Sequence, residues 1–163
     1  MVADLRDLLV PLYRLPELPY PPEGVLVDRP AACSASALLA RIHDEFGEGW
    51  GSEARVCLSA MPPTMVAAFE RETGEPLGFC CWDAAALGFL GPVGVFEAHR
   101  GKGLGRILVI SCLQRMRQQG YGYAVVGGAG PEDFFERVCD ARPIAGSGGS
   151  VYPPWVSGEG ADS

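Results

Sequence analysis

The chain has 163 residues, a net charge of −7 at pH 7 and a hydrophobic fraction of 48%. A chain of this length ordinarily forms one domain around one core, so we expect a single domain over 1–163. Within it we expect a Pro-rich arm at 1–24, a core at 25–145 and an irregular tail at 146–163. The negative charge repels phosphate backbones and anionic lipids, which argues against nucleic-acid or membrane binding. The apolar content excludes a largely disordered chain.

The segments that could act as targeting signals do not fit that role. The N-terminus carries Asp4 and Asp7 and is interrupted by Pro11, unlike a secretory signal. The longest apolar run, 84–96, contains Gly91 and is shorter than the roughly 20 residues that a membrane helix needs. A cytoplasmic location is therefore expected. The six cysteines include no C-x-x-C pair, which favours small buried thiols and no metal site.

The N-terminal half predicts an arm, a strand, two helices and a hairpin. Five prolines within 1–24 predict an extended arm that lies over the domain without regular structure. Apolar spacing and Gly or Pro stops then predict the next elements in chain order: a strand at 25–27, a helix ending near Phe46, a helix at 50–61, and hairpin strands at 65–71 and 77–83.

The C-terminal half predicts three more strands and two helices. They are a strand at 89–96 interrupted by Gly91 and Pro92, a helix at 103–119, a strand at 121–126, a short helix from Pro131 and a last strand at 142–144. The resulting order, β-α-α-β-β-β-α-β-α-β, predicts a mixed α/β fold with one central sheet.

The loop before the long helix concentrates positive charge. The segment His99-Arg100-Gly101-Lys102-Gly103-Leu104-Gly105-Arg106 holds the only lysine of the chain and two arginines. Its alternating glycines allow successive backbone N–H groups to turn inward as an anion-binding nest. The positive end of the following helix dipole points to the same place, so this loop predicts a phosphate-binding site.

The spacing of this loop excludes two common phosphate-binding motifs. The Walker loop, GxxxxGK[ST], would need Gly where Phe96 stands and Ser or Thr where Gly103 stands. The dinucleotide fingerprint fails because Arg106 replaces its third glycine and 121–123 offers tyrosines where the ribose-binding acid should fall.

A third spacing does match. Arg100-x-x-Gly103-x-Gly105 fits the pattern Arg/Gln-x-x-Gly-x-Gly/Ala, and a broken strand ending in Gly94-Val95 precedes it. Phe134-Phe135-Glu136-Arg137 stands where the GNAT acetyltransferase superfamily has its "(F/Y)YEK" helix. From Val25 to Ile144 the chain resembles that superfamily. The resemblance implies a mixed, mostly antiparallel central sheet with helices on both faces and with splayed fourth and fifth strands.

The resemblance also implies acetyl-CoA as cosubstrate, an amine as acyl acceptor and no metal; it allows a homodimer. Backbone groups of Val93, Gly94 and Val95 would bind the pantetheine arm and the thioester, and an N–H near Val95 would stabilise the oxyanion. The pyrophosphate would lie on the loop and helix start formed by Arg100, Gly101, Lys102, Gly103, Leu104 and Gly105.

Acid–base chemistry departs from the family pattern. Phe135 stands where many members have the tyrosine that protonates the leaving thiolate, and the loop 127–130 lacks the usual asparagine. Tyr123 is the candidate general acid, with Tyr121 as the alternative, and Glu97 could act as a base through water. The sequence thus favours an N-acetyltransferase acting on an unidentified primary amine. The alternative is a non-catalytic acyl-CoA-binding regulatory module.

Two sets of residues allow two interpretations each. The first set consists of three aromatic residues, Trp50, Tyr152 and Trp155. The favoured interpretation is that they pack the tail against the domain; the alternative is that they line an acceptor pocket. The second set consists of four carboxylates, Asp44, Glu45, Glu48 and Glu53. In the ordinary case they form a solvated helix surface; the alternative is that they attract a cationic amine.

Overall fold

The computed structural model describes residues 5–149 and 151–152; Trp155 lies outside them. The strands are β1 (Leu8–Pro11), β2 (Val25–Asp28), β3 (Met65–Glu70), β4 (Pro76–Trp82), β5 (Phe89–Val95), β6 (Tyr123–Val126) and β7 (Arg142–Pro143). The helices are α1 (Ala35–Phe46), α2 (Glu48–Ser59), α3 (Leu104–Gln119) and α4 (Glu132–Cys139). Each element predicted after the arm is present, with ends displaced by at most two residues.

All seven strands form one sheet in the order β2-β3-β4-β5-β6-β1-β7. Every neighbouring pair is antiparallel except β5 and β6, which are parallel. Apolar side chains of α3 and α4 pack on one face, and those of α1 and α2 pack on the other face over β3 and β4. The predicted mixed, mostly antiparallel sheet with helices on both faces is therefore confirmed.

The long helix begins and ends where glycine permits a left-handed backbone. Gly103 precedes α3 with φ +76°, and Gly120 follows it with φ +105°. Between them, α3 buries a row of apolar residues that includes Ile107, Leu108 and Leu113. This burial holds the N-terminus of α3 against the sheet beside the end of β5.

The prediction of an irregular arm at 1–24 is wrong for its first part. Residues Leu8–Pro11 form β1, a strand that pairs with β6 on one side and with β7 on the other. Leu8 and Val10 are buried at 1% and 0% exposure, whereas Leu9 between them is exposed at 37%. The prolines of the arm begin only at Pro11, so the apolar run before it is free to pair.

The splay between the predicted fourth and fifth strands, which are β5 and β6, is confirmed. The two strands pair only at Phe89↔Val125 and Leu90↔Val126. Directly after Leu90, Gly91 has φ +124°, and Pro92 has no N–H to donate to a neighbouring strand. The register between β4 and β5 also shifts opposite this point. The Gly91-Pro92 pair therefore ends the β5–β6 ladder and leaves a gap.

Three further findings concern the described residues. No helix in the described ranges is long and apolar enough to span a membrane. No group of three or more His, Cys, Asp or Glu side chains in the same ranges is placed to hold a metal ion. All six cysteines are free thiols; five are buried as predicted, whereas Cys33 is exposed.

Candidate functional site

The gap between β5 and β6 opens into a cleft of about 1010 Å³. Its walls come from β5, the end of β6 and the loop after it, the start of α3 and α4, with a few residues from α2, from the loop before β5 and from both terminal segments. The residues used below that line it are Asp7, Trp50, Glu53, Val93, Gly94, Val95, Arg100, Gly105, Gly128, Phe135 and Tyr152.

One wall of the cleft is a free strand edge. The Phe96 N–H donates to the Leu77 carbonyl, toward β4. Because backbone groups alternate along an extended strand, the N–H and C=O of Val95 and Val93 point away from β4, into the gap. The backbone groups of Gly94 point toward β4 instead. Val93 thus offers an N–H and a C=O to an extended ligand and Val95 offers its N–H, as a neighbouring strand would, whereas the Val95 carbonyl already accepts a hydrogen bond from Arg100.

Gly94 has a packing role at this edge. A Cβ at position 94 would lie 2.7 Å from Cζ of Phe46 and 3.0 Å from Cε1 of Phe79. The Phe46 ring occupies this space and stacks on Trp50, with centroids 4.9 Å apart. The absence of a side chain at Gly94 therefore lets α1 and α2 approach the cleft edge.

The glycine-rich loop has the geometry of an anion site. Gly101 and Gly103 have φ values of +81° and +76°, and a Cβ at either position would meet no atom within 4 Å. The first N–H groups of α3 have no partner inside the helix and point toward this loop. Lys102 and Arg106 are exposed and form no ion pair with a described residue. Charge, donors and open space thus fit a phosphate group.

Arg100 connects this loop to the strand edge. Its Nε donates to the Val95 carbonyl at 3.0 Å, so part of the guanidinium fixes the end of β5. A guanidinium carries five N–H donors, and the rest remain available for an anion. Of the other loop residues predicted to bind the cofactor, Gly105 lines the cleft. Leu104 turns its side chain into the core, with 2% exposure.

A second part of the cleft combines two aromatic rings with one carboxylate; we call Trp50, Glu53 and Tyr152 the aromatic–acidic corner. Trp50 and Glu53 are three residues apart in α2 and share a face of that helix. The Tyr152 hydroxyl donates to Oε1 of Glu53 at 2.7 Å. Partial burial and this carboxylate raise the pKa of Tyr152 to about 12. Tyr152 thus packs the C-terminal segment on α2, as the favoured interpretation expects, and both Trp50 and Tyr152 also line the cleft.

The N-terminal segment also contributes to the cleft. Oδ1 of Asp7 accepts a hydrogen bond from the Gly128 N–H at 2.9 Å, in the loop that follows β6. The backbone of Asp7 is itself held, because its N–H donates to the Ser147 hydroxyl and its carbonyl accepts from Ile144 N–H. Asp7 thus anchors the glycine loop 127–130 to the N-terminal segment.

The structure does not bring the candidate acid–base residues into the cleft. Tyr123 is the first residue of β6, at the end remote from the gap, and is 50% exposed. Its hydroxyl lies 3.3 Å from that of Tyr13. The Tyr121 hydroxyl donates to Asp83, and Glu97 is exposed in a short turn. Phe135, in contrast, lies in the cleft wall with 3% exposure and has no ionisable group.

Sequence reasoning missed Asp7, and it named Glu53 only as one of four carboxylates that either form a solvated helix surface or attract a cationic amine. A signal existed for Asp7, since it immediately precedes the apolar run that becomes β1. For Glu53 the helical spacing to Trp50 was visible, but no local pattern showed which face of α2 meets the cleft. Both residues reach the site through contacts distant in sequence.

A scan against models of protein families matches residues 35–138, well over half of the chain, to the "Acetyltransferase (GNAT) family". A search of curated proteins finds no match to this chain.

Solved structures share the fold at low identity. A GCN5-related glucosamine N-acetyltransferase region of a fungal multi-domain GH3 β-N-acetylglucosaminidase has TM-score 0.70 at 17% identity over 86% of this chain and 20% of that one. A GCN5-related N-acetyltransferase from Sphaerobacter thermophilus has TM-score 0.67 at 18% identity, over 86% of this chain and 49% of that one. A Brucella melitensis GNAT acetyltransferase in complex with acetyl-CoA has TM-score 0.55 at 20% identity, over 79% of this chain and 96% of that one. The chain spans about half or less of the first structures it matches.

Proposed function

The chain belongs to the GNAT acetyltransferase family, and from this premise we propose that it transfers an acetyl group from acetyl-CoA to a primary amine of a small molecule or a protein. The observation that carries the proposal is the splayed β5–β6 gap, which joins a free strand edge to a cationic glycine loop at the start of α3. A cytoplasmic location and a homodimer remain predictions.

The donor would lie along the gap. Val93 and Val95 would pair with the amide groups of the pantetheine arm, because their N–H and C=O groups face the gap. Gly101, Gly103 and the first turn of α3 would donate N–H groups to the pyrophosphate, and Arg100 and Lys102 would neutralise its charge. Gly94 would contribute by the space it leaves rather than by its backbone groups.

The amine would attack the thioester carbonyl directly. A C–N bond forms, the carbonyl oxygen becomes an oxyanion, and the C–S bond then breaks to release the CoA thiolate. The Val95 N–H would donate to the oxyanion, a contribution of about 3–4 kcal/mol in comparable sites. An acceptor that starts as an ammonium first releases one proton to solvent, because only the neutral amine can attack. The attacking amine then loses a second proton and the thiolate gains one, so the transfer step itself consumes no net proton.

We assign protonation of the thiolate to water. Phe135 has no proton to give, and the Tyr123 hydroxyl is engaged with Tyr13 at the far end of β6. A thiolate whose conjugate acid has a pKa near 8.5 is a tolerable leaving group without an acid. General acid catalysis typically contributes about 10² to 10⁴-fold, so an enzyme without it turns over slowly but measurably.

The proposal is tested by thermal unfolding with CoA and by release of free thiol from acetyl-CoA in the presence of an amine panel. The double charge reversal of Arg100 and Lys102 to Glu should abolish stabilisation by CoA. The control is Arg117→Glu, a single charge reversal at the opposite end of α3, to be compared with the single reversals Arg100→Glu and Lys102→Glu as well as with the double variant. Absence of a CoA-dependent shift in the unmodified protein would refute the proposal.

Two departures from the family pattern favour one second candidate, the non-catalytic acyl-CoA-binding module. They are Phe135 in place of tyrosine and the loop 127–130 without an asparagine. This candidate predicts stabilisation by acetyl-CoA without thiol release for any amine. Turnover with any amine above the rate of hydrolysis would exclude it.

A further inference from the structure

The aromatic–acidic corner lies next to the strand edge that would hold the thioester. Gly94 of that edge faces the Phe46 ring, and Phe46 stacks on Trp50, so only one ring separates the edge from Trp50. Trp50 keeps 37% of its surface exposed and lines the cleft. The corner is therefore placed to contact the molecule that receives the acyl group.

Three charged side chains line the cleft, counted over the described residues: Asp7, Glu53 and Arg100. Arg100 holds the Val95 carbonyl near the phosphate loop, and Asp7 accepts the Gly128 N–H. Glu53 forms no ion pair with a described residue; Tyr152 donates to its Oε1 and fixes its orientation. A carboxylate has about four acceptor sites, so Glu53 can accept further donors.

A partly buried carboxylate in an apolar cleft is stabilised by a cation, and an indole ring attracts the same kind of group through its π face. A hydroxyl could donate one hydrogen bond to Glu53 but carries no charge to balance it, an alkyl group would satisfy neither feature, and a second carboxylate would be repelled by Glu53. Resting on the proposed function, we propose that the acceptor carries a second, protonated amino group besides the one that is acetylated, and that Glu53 and Trp50 bind this ammonium.

The inference is tested with acceptors that share one primary amine and differ at the other end. Cadaverine ends in an ammonium, aminopentanol in a hydroxyl, n-pentylamine in a methyl group and aminopentanoate in a carboxylate. We expect kcat/KM to be about tenfold to a hundredfold higher for cadaverine than for aminopentanol, as for a charged hydrogen bond, with aminopentanoate the poorest acceptor. Equal values for cadaverine and aminopentanol would overturn the inference.

The variant Glu53→Gln keeps the shape of the side chain and removes its charge. It should reduce the cadaverine-to-aminopentanol ratio to below about threefold, whereas Glu48→Gln, at the exposed start of the same helix, should leave the ratio unchanged. A ratio preserved in Glu53→Gln would overturn the assignment of the ammonium to this residue.

A binding measurement separates this inference from the proposed function. In calorimetric titration of the CoA-saturated protein, cadaverine should bind and aminopentanol should bind at least tenfold more weakly, with the difference lost in Glu53→Gln. If thiol release fails for every amine while this binding difference is present, the transfer reaction is wrong and the cation site stands. If transfer occurs but the binding difference is absent, the cation site is wrong and the transfer stands.

Discussion

Replacing Gly94 with Ala tests how the acceptor side of the cleft is held against the strand edge. The added Cβ would lie 2.7 Å from Cζ and 2.9 Å from Cε2 of Phe46, where ordinary carbon contacts begin near 3.4 Å. Because Phe79 limits movement on the other side, at 3.0 Å, the Phe46 ring must move by about 0.7 Å. Phe46 stacks on Trp50, so the displacement reaches the aromatic–acidic corner.

The expected loss of stability follows from two opposing effects. Overpacking of a well-filled core costs about 1–3 kcal/mol. Exchanging Gly for Ala in a permitted backbone conformation raises the free energy of unfolding by about 0.4–1 kcal/mol, because alanine lowers the conformational entropy of the unfolded chain. The net free energy of unfolding should fall by about 1–2 kcal/mol, which for a chain of this size lowers the Tm by about 2–8 °C.

The assay is equilibrium denaturation of Gly94→Ala beside Gly122→Ala, whose Cβ would meet no atom within 4 Å. Gly122→Ala should change the stability by less than about 0.5 kcal/mol. Adding Phe46→Leu should cost less in the Gly94→Ala background than alone, since the clash is then relieved. Equal stability of the two alanine variants, or strictly additive effects with Phe46→Leu, would refute the packing argument.

Three further predictions concern the N-terminal strand, the corner and the cleft wall. Leu8→Ala should cost about 2–5 kcal/mol in denaturation and Leu9→Ala less than about 1 kcal/mol; similar losses would contradict the observed placement of β1. The pKa of Tyr152 is raised from 10 to about 12, so between these values the unfolded chain loses the phenol proton more readily than the folded protein does, and the free energy of unfolding should fall as the pH rises. The variant Tyr152→Phe should show a smaller fall. Identical pH slopes in the two proteins would contradict this. Phe135→Tyr should raise kcat for thiol release about tenfold or more if the missing acid limits the rate, and an unchanged kcat would show that it does not.

The gap between β5 and β6 and the glycine loop before α3 could be predicted from the sequence because their determinants are local. Gly91 and Pro92 mark the end of the β5–β6 pairing, since one adopts a positive φ and the other lacks an N–H. Gly103 marks the start of α3 in the same way. Each of these properties belongs to the residue itself and needs no tertiary contact to be recognised.

Other features could not be predicted from local patterns. The strand β1 depends on pairing of Leu8–Pro11 with β6, more than a hundred residues later in the chain. The sequence predicts that Tyr123 lies in the strand β6, and it does. Which end of β6 faces the gap, however, depends on the register of β6 against β5, and that register places the gap at the other end of the strand. Tyr152 reaches the cleft through Glu53, a contact between residues 99 positions apart.

The insertion of β1 between β6 and β7 links these long-range features. This insertion brings the N-terminal segment beside the loop after β6, where the Asp7 carboxylate accepts a hydrogen bond from the Gly128 N–H. The Asp7 carbonyl also accepts from the Ile144 N–H, which holds the start of the C-terminal segment. That segment continues toward Tyr152 at the corner. The parts proposed to bind the donor are thus contiguous in sequence, from Val93 to Gly105, whereas the proposed acceptor side is assembled from α2 and both ends of the chain. Substitutions in β1 should therefore change the KM of the acceptor more than that of acetyl-CoA, because the segment from Val93 to Gly105 has no backbone pairing with β1, whereas both chain ends do contact it or its neighbours.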